Sequence, residues 1–222
     1  MEIIVISLGG SLIVPDKIDV GFLKKFKHII LEHLSTKKFI IICGGGRIAR
    51  SYQEAAANVS VLKDEDLDWL GIHSTRLNAH LLRTIFREHA HPVIIKNPTE
   101  KIRFNECILI ASGWQPGCST DYDAVLLARN FNVKNVINLS NTDYVYDSDP
   151  KKNKDAKPLP VISWKEFRKL VGNEWNPGLN LPFDPVASKL AESLGMKVVI
   201  MKDLANLESF LENKKFNGTV IS

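Results

Sequence analysis

Two glycine runs carry the first chemical signal in this chain. Val5-Ile6-Ser7-Leu8 leads from an apolar, β-like segment into Gly9-Gly10-Ser11, and Phe39-Ile40-Ile41-Ile42-Cys43 leads in the same way into Gly44-Gly45-Gly46, followed by the helix-like stretch Arg47–Tyr52. Glycine lets the main chain approach a phosphate closely, and the free N–H groups and positive end of a following helix attract negative charge. Together the runs predict one anionic-ligand site built from two strand-end loops. Either run alone is equally compatible with a tight turn between strand and helix. Neither has the Gly-x-x-x-x-Gly-Lys-Ser/Thr or Gly-x-Gly-x-x-Gly spacing, so P-loop and dinucleotide-binding readings lack their main support.

Three further stretches are rich in groups that bind anions or nucleosides. Trp114-Gln115-Pro116-Gly117-Cys118-Ser119-Thr120-Asp121-Tyr122-Asp123 joins a strand candidate to a helix candidate, the place where open α/β sheets bind ligands. Ser119 or Thr120 can cap that helix. Asp121 and Asp123, separated by one residue, can hold a metal–nucleotide, orient cationic side chains, or serve the helix dipole as first-turn acids. Asp68, in the helical segment that continues through Thr75 and Arg76, can accept hydrogen bonds from ribose hydroxyls or simply face solvent. His73 reads as a helix-surface or interface residue. In Asn138–Pro150, hydroxyls and the aromatic rings of Tyr144 and Tyr146 precede Lys151-Lys152-Asn153-Lys154, a combination suited to a base, a ribose and phosphates, although a lysine run is usually a solvated face.

These groups must be held by a sizeable fold. With 222 residues, 45% of them hydrophobic, the chain can bury a substantial core as one large domain or two intimate lobes, with any join near Cys107–Thr120. A net charge of +4 suits a protein that handles anions but is too small to indicate nucleic-acid binding. Cys43, Cys107 and Cys118 are far apart and form no C-x-x-C pair, which argues against a disulfide framework or a zinc site and predicts reduced thiols in a cytoplasmic protein. No basic region precedes a long apolar stretch at the start, and no window approaches about 18 uninterrupted apolar residues, so neither export nor membrane insertion is signalled. Short β-branched runs alternate with helix-period segments, predicting a mainly parallel sheet covered by helices. The predicted strands are Ile3–Leu8, Phe39–Cys43, Pro92–Ile95, Cys107–Ala111, Asn135–Leu139, Lys197–Met201 and Gly218–Ile221. The predicted helices are Val20–Leu34, Arg47–Ala57, Asp66–His89, Asp121–Asn130, Trp164–Val171, Pro185–Leu194 and Leu204–Leu211. The polar, lysine-rich segment Asp143–Pro160 breaks the alternation as a surface excursion.

Taken together, these residues resemble the amino acid kinase superfamily, and within it the uridylate (UMP) kinases of the archaeal type. The likeness covers essentially the whole chain. It runs through Gly9-Gly10-Ser11, Gly44-Gly45-Gly46 with Arg50, Asp68-x-x-Gly71-Ile72-x-x-Thr75-Arg76-x-Asn78-Ala79, and Pro116-Gly117-x-Ser119-Thr120-Asp121. It continues through Asn141-x-Asp143-x-Val145-Tyr146-x-x-Asp149-Pro150-Lys151-Lys152, Asp184-Pro185-x-Ala187-x-Lys189 and Asn217-Gly218-Thr219. The resemblance implies an α/β fold, a three-layer αβα sandwich with a mainly parallel sheet, in which an acceptor lobe (roughly 1–120) precedes an ATP lobe (roughly 121–222). ATP, with Mg2+, would donate its γ-phosphoryl group to UMP, giving UDP and ADP. By matching position, Gly9 and Gly10 would face the transferred group, Gly46 and Arg50 would contact ATP phosphates, and Ser140, Tyr146 and Asp149 would surround the adenosine. Gly45 would approach UMP, Asp68 would hold its ribose, and Trp114, Gln115, Pro116, Gly117, Cys118, Ser119 and Thr120 would wrap its base and phosphate. Asp121 would belong to the catalytic set. No protein ligand to a metal is expected, and the likeness implies a homo-oligomer, a hexamer, with neither nucleic acid nor membrane as a partner.

Several departures stand out. Many superfamily members carry a lysine where Ser7 stands, and Ser7 supplies no cation; Arg50 and Lys189 are the available substitutes. Ser112-Gly113-Trp114 replaces a small Gly-Gly-Thr sequence, Asp121-Tyr122-Asp123-Ala124 replaces Asp-Ala-Val-Ala, and Tyr144 replaces a glycine. Two other readings therefore stay open. One is a kinase of the same fold for another small phosphate or carboxylate acceptor, and the other is a non-catalytic nucleotide- or oxoanion-binding protein.

Overall fold

Short β-branched runs separated by helix-length segments fold here as they must if every strand is to be covered on both faces. The computed structural model describes residues 1–150, 152–172 and 181–222. In chain order its elements are β1 (Glu2–Leu8), α1 (Gly10–Ile13), α2 (Val20–Glu32), β2 (Lys37–Cys43), α3 (Gly46–Val59), α4 (Asp64–Ile85), β3 (Ile108–Ala111), α5 (Thr120–Asn130) and β4 (Asn135–Leu139). They continue as β5 (Val145–Tyr146), β6 (Pro158–Leu159), β7 (Val161–Ile162), α6 (Trp164–Val171), α7 (Pro185–Ser193), β8 (Lys197–Met201), α8 (Leu204–Leu211) and β9 (Thr219–Ile221).

Seven strands form one sheet in the order β3-β2-β1-β4-β8-β9-β7. All neighbours run parallel except β8 and β9. The period-2 alternation of strand side chains assigns each residue to a layer. Ile4, Ile6 and Leu8 of β1 join Phe39 and Ile41 of β2 beneath α2, α4 and α8. Val5, Ile40, Ile42, Val136 and Val198 turn the other way, onto α5, α6 and α7. Ser7 therefore falls on the α5 side, beside Asn138 of β4 in the strand register. This is the three-layer αβα arrangement with a mainly parallel sheet.

Pro92–Ile95 does not form the predicted strand; only isolated bridges at Ala90 and Ile95 reach β3. Pro92 has no N–H to donate, and His91 Nδ1 lies 3.2 Å from the Val93 N–H, so the segment turns instead of pairing. The excursion at Asp143–Pro160 contains a small antiparallel ladder, with Val145 opposite Leu159 and Tyr146 opposite Pro158. Thr219 fastens this ladder to the main sheet, accepting from Val145 N at 2.9 Å and donating to Leu159 O at 2.7 Å. Among the described residues no helix is long and apolar enough to cross a membrane. All three cysteines are free.

The two glycine runs meet at the carboxyl ends of β1 and β2. A Cβ added to Gly10 would lie 2.1 Å from Gly46 N and 2.5 Å from Gly44 C, and one on Gly46, at φ +66°, would lie 2.3 Å from Gly10 O. Backbone packs directly on backbone here, which only glycine permits. The first run is not a bare turn: Gly9 caps the short α1. Gly10→Ala is expected to destabilise the fold by at least about 3 kcal/mol, the upper end of overpacking costs, because the obstructing atoms are main chain and cannot rotate away. Urea denaturation checks this, and a loss below about 1 kcal/mol would show that the loops separate readily.

Candidate active site

The alternation that puts Ser7 on the α5 side brings it to Asp121, the second residue of α5. Ser7 Oγ donates to Asp121 Oδ1 at 2.8 Å, and Asn138 Nδ2 approaches the same oxygen at 3.4 Å. The other carboxyl oxygen accepts from Asp184 N at 3.3 Å. Asp184 in turn caps α7 through Ala187 N at 2.5 Å, and its Oδ2 is buried without a partner. Burial, reinforced by the charge of Asp184, pushes the Asp121 carboxyl up to about 7 against the opposing pull of the Ser7 hydrogen bond. Burial raises Asp184 as well.

Asp123, two residues further into α5, is 1% exposed. Its Oδ2 accepts from Trp114 N at 3.0 Å, while Oδ1 has no partner. Burial pushes this carboxyl up to about 8; the Trp114 N–H opposes that rise and the charge of Asp121 adds to it. None of these three acids forms an ion pair with a cation among the described residues.

One helix, α4, holds both loops of the site. Asp68, Thr75 and Arg76 lie seven and eight residues apart, on one helix face. Asp68 Oδ2 accepts from Gly117 N at 2.8 Å, Thr75 Oγ1 accepts from Gly113 N at 2.8 Å, and Arg76 Nη2 donates to Trp114 O at 3.3 Å. Further along, buried Asn78 donates to Gly44 O at 2.8 Å and Gly45 O at 3.2 Å, satisfying carbonyls that the glycine turn leaves unpaired. Gly117 adopts φ +77° at the tip of the loop. Ser119 is the α5 cap, accepting from Tyr122 N at 3.1 Å, and Thr120 is the first helical residue. Cys118 stands beside them, its thiol pushed up to about 11 mainly by burial.

On the other side of Ser7, a cavity of about 500 Å³ is lined by Asp143, Tyr144, Tyr146, Asp149, Leu170 and Pro182, among others. That volume suits a small organic ligand. The rings of Tyr144 and Tyr146 stand nearly perpendicular, at 79°, with centroids 6.4 Å apart. Tyr146 Oη hydrogen-bonds to Asp143 Oδ1 at 3.3 Å, and Tyr144 Oη to Asn217 Oδ1 at 3.3 Å.

Of the residues singled out from sequence, Gly9, Gly10, Gly45, Gly46 and Asp121 cluster around the ends of β1 and β2, and Tyr146 and Asp149 share the cavity. Asp68 joins Trp114, Gln115, Pro116, Gly117, Cys118, Ser119 and Thr120 through its bond to Gly117. Ser140 does not line the cavity; it backs Gly9, whose added Cβ would meet its Cα at 3.2 Å. Arg50 on α3 and Lys189 on α7 are exposed, and neither makes a side-chain hydrogen bond or ion pair with a described residue. Lys151 lies outside the described residues. Sequence reasoning did not single out the roles of Asn138, Thr75 and Asn78. A polar residue inside the apolar run Val136–Leu139 was the available signal for Asn138.

The amino acid kinase family matches residues 2–202, and the chain belongs to that family. Its relatives are named more narrowly. A uridylate kinase of Thermoplasma volcanium is 35% identical over 217 residues, spanning 96% of this chain and 94% of that one. A uridylate kinase of Methanospirillum hungatei is 35% identical over 228 residues, spanning 100% of this chain and 95% of the relative. The crystal structure of uridylate kinase from Archaeoglobus fulgidus superposes with a TM-score of 0.85 at 28% identity, covering 100% of both chains.

The buried acids give a pH signature. Asp123 keeps its proton to about pH 8 in the folded chain but loses it near 3.8 when unfolded, so the folded state binds the extra proton across that window. Stability from this group is therefore fully present at the acid end of the window and falls as pH rises through it. Asp123→Asn removes the effect and keeps an acceptor for Trp114 N–H. The melting temperature of D123N relative to wild type is expected to rise from about pH 5 to about pH 8 and to level off above that. A difference that does not change with pH would show that Asp123 ionises normally.

Proposed function

We propose that this protein is a UMP kinase, transferring the γ-phosphoryl group of ATP to UMP to give UDP and ADP. The observation that carries the reading is the 35% identity, over nearly the whole length of both chains, to enzymes named uridylate kinase. The geometry is compatible with it. The interlocked glycine loops lie between an acceptor-side loop pinned to α4 and a cavity walled by two tyrosines. In this reading a phosphate oxygen of UMP attacks the γ-phosphorus while the β–γ bridging oxygen leaves with ADP, so no protein nucleophile is required and catalysis is positioning plus charge neutralisation.

The parts divide accordingly. Gly9 and Gly10 face the transferred group; Gly46 and Arg50 contact ATP phosphates; Tyr146 and Asp149 hold the adenosine, with Ser140 bracing Gly9 behind them. Gly45 approaches UMP, Asp68 reads its ribose once Gly117 N–H is released, and the loop from Trp114 to Thr120 wraps the base and phosphate, the latter at the α5 N-terminus. Asp121 organises the centre through Ser7 and Asp184 N. In this reading Mg2+ enters with ATP, as the counterion of its phosphates.

The missing cation at Ser7 leaves Arg50 and Lys189 to neutralise charge in the transition state. Lys189→Ala is expected to lower kcat by about 10²–10³-fold, or roughly 2.7–4 kcal/mol, with the fold intact. An unchanged kcat in steady-state assays removes Lys189 from the mechanism. A coupled assay with ATP, Mg2+ and a panel of UMP, CMP, dUMP and small carboxylates tests the reaction itself. ADP release with UMP is expected; turnover only with another acceptor, or nucleotide binding without turnover, would establish one of the two rival readings. The soluble, cytoplasmic homohexamer implied by resemblance also belongs to this proposal. Exposed Tyr52, Val59 and Val61 on and after α3, at 63%, 85% and 103% accessibility, offer apolar surface for self-association.

A further inference from the structure

Trp114 is gripped by its own peptide groups. Its N–H is held from α5 by Asp123 Oδ2 at 3.0 Å, and its carbonyl is held from α4 by Arg76 Nη2 at 3.3 Å. The two holders come from different helices and approach opposite edges of one residue in the acceptor-side loop. Each is an unusual investment of polar groups. Asp123 is 1% exposed and uses one carboxyl oxygen on Trp114 while the other has no partner. Arg76 has its guanidinium carbon 5.8 Å from the Trp69 ring centroid and keeps a buried Nε without a partner. A buried carboxyl placed on α5 where an apolar side chain would pack with Ala124, Leu127 and Ala128 costs stability, and so does a partly buried guanidinium that is only partly satisfied. Neither is needed to close the core. What both do is fix the main chain at Trp114, and hence the direction in which the indole leaves it.

We propose that Asp123 and Arg76 are positioning residues that clamp the two peptide groups flanking the Trp114 Cα and thereby set the shape of the acceptor pocket and its grip on the nucleoside monophosphate. The inference rests on the UMP kinase reading and goes beyond it by assigning acceptor recognition to two side chains that touch neither the glycine loops nor the tyrosine-walled cavity. The neighbouring bonds support it. Gly113 N is held by Thr75 and Gly117 N by Asp68, so the loop is fastened on both sides of Trp114 and the clamp fixes its middle. With both clamps in place the loop enters the complex already shaped, and binding does not have to order it.

The test is steady-state kinetics of the full-length protein with UMP and ATP varied separately. Arg76→Met keeps the apolar stem over Trp69 and removes the donors; Asp123→Leu keeps the size and removes the acceptor; Asp123→Asn keeps an acceptor oxygen. Losing one such hydrogen bond is expected to raise the UMP KM about tenfold in R76M and in D123L, while the ATP KM and kcat stay within about twofold. D123N is expected to restore a UMP KM within about twofold of wild type, and the R76M/D123L double variant to show less than the product of the single effects, because both act on one residue. A folded R76M with an unchanged UMP KM, or with ATP and UMP KM rising together, overturns the inference. So does a lower melting temperature with neither KM altered, which is the signature of a purely structural role. Should D123L fail to fold, R76M and D123N still decide the matter. Failure of wild type to phosphorylate UMP would instead count against the UMP kinase reading, and the two outcomes are told apart before any variant is made.

Discussion

The site depends on a contact with no side chains in it. At the carboxyl ends of β1 and β2 the main chain of Gly10 lies against that of Gly44 and Gly46, closer than any Cβ would permit. That contact fixes where α1 and α3 begin, and with it the level at which strand-end amides are presented. It also requires the register of the sheet, because Leu8 must stand beside Cys43 on one side and Leu139 on the other for the two loops to arrive together. A slip of one residue would turn Ser7 into the opposite layer and away from Asp121. The chemistry of the site is thus a consequence of strand alternation and of the Cβ atoms that glycine lacks at these three positions.

Around this contact the charges are arranged in an unexpected way. Asp121, Asp123 and Asp184 sit close together, with no cation paired to any of them among the described residues, and burial raises all three. Ionised, three carboxylates would repel a polyphosphate arriving at the glycine loops. Desolvation makes ionisation costly, so the same burial that appears wasteful keeps negative charge off the path of an anionic ligand. Ser7 fits that balance. A hydroxyl donates to Asp121 whether or not the carboxyl carries a proton on its other oxygen, whereas an ammonium there would draw the acid into its charged form. A serine in place of a lysine therefore changes the protonation of its partner as well as leaving out a charge.

The layers of the fold were legible because each strand is a short β-branched run with flanking helix periods, and the glycine runs were legible because nothing else lets two loops touch. Ser7 stood out as a polar residue in an apolar strand, whereas Asn138, placed in the same way in its own strand, was passed over. What sequence could not place depends on contacts far apart in the chain. Pro92–Ile95 is apolar enough for a strand, but a proline and the His91 ring remove the N–H groups a ladder needs. The ladder of β5 and β6 consists of two residue pairs, too short to leave a periodic trace, and is tied down by Thr219 from the far end of the chain. Asp123 looked like a first-turn acid serving the helix dipole; its burial beside the Trp114 N–H is a tertiary contact that no local pattern reveals. Trp114 looked like an intruder in a small loop, and its anchoring from two helices is a tertiary fact.

The organisation of α4 joins these observations. Asp68, Thr75 and Arg76 reach the acceptor-side loop, and Asn78 reaches the glycine loop, so one helix sets the distance between the part of the site that would hold the acceptor and the part that would hold the transferred group. A phosphoryl transfer that uses no protein nucleophile depends on that distance more than on any single functional group, since the reacting atoms must be held in line at near-contact range. The helix suits this task because its opposite ends of contact differ in kind. Asn78 is buried and satisfies main-chain carbonyls that must be satisfied for the chain to fold, whereas Asp68 and Arg76 are partly exposed and hold the loop from the rim. Fold stability thereby fixes one edge of the site from the core, and side chains at the rim of the same helix fix the other.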